Sequence, residues 1–183
     1  MRRFNACLSA LILGLFVVHG LCSALALTGA ATAVARALSH TLMTLVAVHV
    51  ALGCALTVRA VRVWRETGAP YFLRNVLFWG RRLSGLTIMV LIVFHMTAFG
   101  SWNDGVMTLA PFTTARLVAQ LLLVASLALH IIANVRPMLI ALGVKRLKPR
   151  AGDLIFIVAA ALLLFAGAFI VYYLRQGAVR GVS

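Results

Sequence analysis

Four histidines, His19, His49, His95 and His130, lie singly in four successive apolar stretches of the chain, and a fifth, His40, lies nearer the end of such a stretch. An ionisable side chain within an apolar span is costly and points to function by default. Neutral imidazole is the commonest protein metal ligand. A lone histidine on an apolar helix is more often a hydrogen-bonded packing residue, but packing alone does not call for one in each of four consecutive spans. Axial ligation of a metal centre is the chemistry these residues offer. The three cysteines, Cys7, Cys22 and Cys54, all lie inside apolar runs and form neither a CxxC nor a CxxCH pattern. They are expected to pack rather than bind zinc or attach a c-type haem.

The elements that must position the histidines follow from composition. Of the 183 residues, 63% are hydrophobic and 11% charged, with a net charge of +14. Soluble domains carry about 25% charged residues, and a chain of this length has no core large enough to hide so much apolar side chain. High hydrophobicity excludes disorder. Basic residues clustered between long uncharged runs indicate a lipid bilayer rather than nucleic acid as the surrounding partner. A helix needs about 20 mostly apolar residues to cross, and five segments qualify: about 5–27, 38–61, 83–100, 115–141 and 153–174. The sequence thus predicts an all-α integral membrane bundle of five transmembrane helices in a single domain, 1–183. The break 28–37 reads as a short turn, 62–82 as an interfacial loop or surface helix, and 100–114 as a further connection. Lys145 to Arg150 is expected to end the fourth span, with Pro149 as the stop. Met1-Arg2-Arg3 and Ser23-Ala24-Leu25-Ala26 resemble the start and cleavage site of a signal peptide; the segment is expected to stay attached as a helix.

Thirteen of the 17 basic residues fall at the N-terminus, in 62–82 and 142–152, and on adjoining helix ends. The positive-inside bias places that side, with the N-terminus, in the cytoplasm. At about 1.5 Å per residue, His19 then stands roughly 22 Å above Phe4 and His95 roughly 20 Å above Arg82, whereas His49 is roughly 15 Å above Arg59 and His130 roughly 9 Å above Arg136. Two imidazoles share an outer level and two an inner one. That suits two haems, each held through its iron by a pair of histidines. Zinc or copper is the competing ligand, and the split between depths counts against it. Gly14, Gly20, Gly53 and Gly85 leave room near the histidine-bearing faces, or serve helix–helix contact. Arg36 and Arg116 on the outer side, and Arg59, Arg62, Arg82 and Arg136 on the inner, are candidate partners for haem propionates. Ser126 and Asn134 are one turn either side of His130 and are candidate second-layer hydrogen-bond partners.

The stretch Tyr71 to His95, YFLRNVLFWGRRLSGLTIMVLIVFH, resembles the entry to the third span in the five-helix, two-haem cytochrome b subunit of succinate:quinone oxidoreductases and fumarate reductases. Gly14, Phe16 and His19 are similar to that family's first-span element, His49 with Gly53 to its second, and His130 with Asn134 to its fourth. The resemblance implies ligation of two b-type haems, by His19 with His95 at the outer site and His49 with His130 at the inner. It also implies a bacterial cytoplasmic membrane, a cytoplasmic iron–sulfur subunit, a flavoprotein subunit, and menaquinone as the electron partner. The chain itself would be the anchor and electron conduit of a succinate dehydrogenase or fumarate reductase, with dicarboxylate chemistry elsewhere.

The chain departs from the family's pattern, and its first outer loop contains no acid that could serve a quinol site. Arg81-Arg82 replaces the family's Gln-Arg dipeptide, and Ala128 stands where some members carry a glutamate that serves transmembrane proton movement. For a quinone head near the outer haem, the available groups are His40, Trp102, Asn103 and Asp104; the bland reading makes His40 a helix-end residue and the others ordinary loop. Two other functions compete: a di-haem cytochrome anchoring a hydrogenase, formate dehydrogenase or other dehydrogenase, and a haem-free transporter or structural protein whose histidines only pack. Co-purifying subunits separate the first from the main reading, and a haem absorption band separates the second.

Overall fold

The computed structural model describes residues 1–27, 34–68, 75–98, 102–103, 106–107, 112–145 and 147–180. Five helices follow one another: α1 (Arg2–Leu27), α2 (Val34–Thr67), α3 (Val76–Ala98), α4 (Thr114–Ala141) and α5 (Leu147–Arg180). Each contains a stretch long and apolar enough to cross a bilayer, and the chain is a transmembrane helical bundle. Between α3 and α4, Trp102–Asn103 (β1) pairs antiparallel with Val106–Met107 (β2), Trp102 opposite Met107.

The helices outrun the apolar segments that reveal them. The stretch 62–82, expected as a loop or surface helix, instead supplies the last turns of α2, to Thr67, and the first turns of α3, from Val76. Falling hydropathy marks where a helix leaves the apolar layer, not where its hydrogen bonding stops. Arginines are good helix formers, and Arg65 in the last turn of α2 complements the helix dipole. Gly68 then leaves the helix with φ +62°, a conformation a Cβ would oppose. Asn75 opens α3 by accepting the Phe78 backbone N–H on its side chain at 3.0 Å. Thr113 does the same for α4, accepting from Arg116 N. The fourth span ends at Ala141, not over Lys145–Arg150: Gly143 turns with φ +76° while the Val144 N–H donates to the Leu139 carbonyl. Pro149 stops nothing. It occupies the first turn of α5, where its missing N–H has no helical partner to lose.

The apolar core is lopsided. Val158, Leu162 and Phe165 of α5 are buried against Leu13 and Phe16 of α1 and Leu127, Ala128 and Ile131 of α4. The Phe16 and Phe165 rings meet edge to face at 5.8 Å, and a Cβ on Gly20 would overlap the Phe165 ring, so this glycine is what admits α5. Nearer the far end, Ala98, Phe112 and Phe169 form a second buried group with Leu27, Leu117 and the two tyrosines of α5. The other side of the bundle is open by comparison. Among the described side chains of α2 none is buried, and its close backbone packing is with α1.

Candidate cofactor site

With the N-terminal, arginine-rich end of the bundle set at the bottom, α1 and α3 rise and α2 and α4 descend. The structure brings the four span histidines together in two pairs, each linking one helix hairpin to the other. His19 of α1 faces His95 of α3 at the upper level, ring centroids 6.3 Å apart and planes at 71°. His49 of α2 faces His130 of α4 at the lower level, 6.4 Å apart and at 89°. At about 1.5 Å per residue, the ten positions separating Ser9 from His19 put the two levels roughly 15 Å apart.

Each imidazole is also held through Nδ1 by the neighbouring helix of its own hairpin. Ser9 of α1 lies 3.5 Å from Nδ1 of His49 on α2, and Ser39 of α2 lies 3.3 Å from Nδ1 of His19 on α1. In the second hairpin, Ser84 of α3 lies 3.1 Å from Nδ1 of His130 on α4, and Gln120 Oε1 of α4 lies 2.7 Å from Nδ1 of His95 on α3. The exchange is reciprocal in both hairpins. It also sets the proton. Ser9 donates its own hydroxyl to the Asn5 carbonyl at 2.7 Å and Ser84 donates to the Arg81 carbonyl at 3.3 Å, so toward histidine both oxygens accept. The Gln120 carbonyl oxygen can only accept. Nδ1–H is therefore the favoured form at these three rings, which leaves Nε2 unprotonated and able to ligate.

These four polar partners were not singled out from the sequence, although a signal was present. Each of the four helices carries a serine or glutamine ten positions before its histidine, eleven in α3. That spacing puts the polar residue at one level and the histidine at the other. Asn134, expected as a ring partner of His130, instead donates to the His130 backbone carbonyl at 2.7 Å.

The fit to a haem can be tested on distances. A metal–imidazole nitrogen bond is about 2.0–2.1 Å and the ring centre lies roughly 1.1 Å further on, so two axial rings place their centroids about 6.2–6.4 Å apart. Both pairs match. Edge-to-face ring packing spans about 4.5–7 Å, so distance alone does not choose. Three further features do. Only two imidazoles meet at each level, and the described residues contain no group of three or more His, Cys, Asp and Glu side chains fit to hold a metal; a bare zinc or copper ion would lack ligands that a macrocycle brings with it. His49, Gly53 and Thr57 form one stripe of α2 at successive turns. The stripe faces α3 and α4, because His49 meets His130 and Thr57 accepts from Arg82 Nε at 3.1 Å. Between those two contacts, a Cβ on Gly53 would meet nothing within 4 Å. Finally, the lower end holds cationic groups suited to an acid. The Arg82 guanidinium, tied to Thr57, sits 4.2 Å over the Phe78 ring, and Arg81 Nε is buried with no hydrogen-bond partner among the described residues.

The other sequence candidates fare unevenly. Arg59 and Arg136 are exposed and Arg116 is half-buried. The Arg36 side chain lies outside the described residues. Of the arginines proposed for propionates, Arg82 is fixed near the lower histidine pair by its hydrogen bond to Thr57, and Arg81, not proposed for that role, lies next to it in the chain. Of the quinone candidates, His40 is exposed and its ring belongs to neither pair. The Trp102 and Asn103 side chains and the whole of Asp104 lie outside the described residues.

No family model, curated protein or solved structure matches the chain.

Proposed function

We propose that this chain is the di-haem cytochrome b anchor of a succinate:quinone oxidoreductase, passing electrons between a cytoplasmic iron–sulfur subunit and menaquinone in a bacterial cytoplasmic membrane. One observation carries the haem part: two histidine pairs, on four different helices, at the separation two axial ligands require. His19 with His95 would hold the upper haem and His49 with His130 the lower; Arg81 and Arg82 would take propionates of the lower one. The haems supply reversible one-electron chemistry. The chain contributes fixed imidazoles, a sheltering apolar wall from α5, and a separation of levels that spans about half of a bilayer core of about 30 Å.

The oxidoreductase part rests on the Tyr71–His95 resemblance, and the arginine-rich lower end supports it as a cytoplasmic docking face for a soluble partner. Positive-inside bias gives that end the same orientation. Purification of the tagged chain in mild detergent from its native membrane tests this part. An iron–sulfur protein and a flavoprotein, with succinate-dependent reduction of the haems, are expected to accompany it. A hydrogenase or formate dehydrogenase in their place would move the chain to the competing electron-transfer reading.

A further inference from the structure

Among the four Nδ1 partners, Gln120 differs in kind. The other three are serine hydroxyls at 3.1–3.5 Å, and Ser9 and Ser84 also serve their own helix's carbonyls. Gln120 presents an amide oxygen at 2.7 Å, the shortest of the four contacts, and with 1% exposure it is the most buried polar side chain described. A glutamine hidden in an apolar helix must be satisfied by a partner, and its removal from water is costly otherwise. Its partner is the ring that also faces His19. Around it the wall is apolar and aromatic: the Phe169 ring stands 6.5 Å from that of His95, and Phe112 packs on Phe169 in turn.

We infer that Gln120 is a positioning residue of the upper site: its side-chain carbonyl holds His95 as the Nδ1–H tautomer, aims Nε2 at the metal, and raises the electron-donating strength of that ligand above that of the serine-held imidazoles. An acceptor on the outer nitrogen of a ligating histidine raises its basicity and fixes its orientation, and such hydrogen bonding is one of the levers that set haem potential. A more basic ligand favours the oxidised iron. Gln120 therefore lowers the potential of the upper haem relative to the same site without it. His49 and His130 pair at the other level, so a haem held there would lie away from this side chain.

The inference rests on the di-haem reading, and redox titration of the purified complex separates the two. Gln120→Leu keeps similar bulk and removes the acceptor; Gln120→Glu keeps an oxygen at the same reach. In Gln120→Leu, one of two haem transitions is expected to move to higher potential while the other stays, with both haems retained. The low-spin ferric EPR signal of the same haem, which reports the angle between the two ring planes, should change with it. In Gln120→Glu that transition is expected to stay in place or move lower. Two haems with unmoved transitions and signals in Gln120→Leu would overturn the positioning role and leave the di-haem reading standing. Equal upward shifts in both variants would overturn it as well, since a structural disturbance needs no oxygen. If Gln120→Leu does not accumulate, Gln120→Met and Gln120→Glu are compared instead, with the same expectations. A wild-type chain without haem would defeat the underlying reading itself.

Discussion

Replacing His19 by leucine is expected to remove one haem of two, and replacing His95 is expected to remove the same one. The two rings face each other at 6.3 Å, so under the proposed di-haem reading the loss of either would remove a ligand from one shared centre. The double variant should then lose no more than either single, because residues acting as one unit are not additive. His49 and His130 are expected to form the second such unit. Quantitation of haem with difference spectra for the four single variants and the two within-pair doubles checks the pairing. Histidines that merely pack would leave the spectrum unmoved on replacement by leucine, and loss patterns grouping His19 with His49 would break the assignment by depth.

Electron passage between the two levels is expected to respond to membrane voltage with no compensating proton relay inside the bundle. The chain has three acidic residues: Glu66 near the end of α2, Asp104 in the connection before α4, and Asp153 early in α5. Glu66 and Asp153 lie outside the interval between the two histidine levels, and Asp104 lies outside the described residues. At the position where a relay glutamate is found in some relatives of the resembled family, Ala128 packs on the Val158, Leu162 and Phe165 cluster of α5, an apolar contact that a carboxylate would disrupt. One elementary charge across a full 100 mV is worth about 2.3 kcal/mol. Levels about 15 Å apart in a core of about 30 Å take roughly half of that, about 1.2 kcal/mol, or about a sevenfold shift in the distribution of one electron between the levels. Imposed potassium diffusion potentials on proteoliposomes, with the two haems followed optically, test this. Haem reduction levels indifferent to voltage would sink the prediction.

How much of this was legible beforehand depends on where each signal resides. The pairing of His19 with His95 and of His49 with His130 was readable because helix rise converts sequence position into depth, and polar residues stand out in apolar runs. The end of α2 and the start of α3 were not: Arg62, Trp64 and Arg65, then Trp79, Arg81 and Arg82, look like loop by hydropathy but stand in helices. Pro149 was misread because proline stops a helix from within yet begins one comfortably. Ser9, Ser39, Ser84 and Gln120 escaped for a different reason. Their partners are on neighbouring helices, and a serine in an apolar helix ordinarily satisfies itself on a carbonyl of its own turn, as Ser9 also does. Arg81, noted only within the Arg81-Arg82 dipeptide, was not proposed for a propionate because nothing in a run of arginines tells whose Nε is buried.

The most direct test of the account is pyridine haemochrome quantitation with a reduced-minus-oxidised spectrum on the purified wild-type complex. Two b-type haems per copy of the chain is the result expected from two histidine pairs on four helices. An absence of haem would return His19, His49, His95 and His130 to packing, and would contradict the reading of this bundle as an electron conduit.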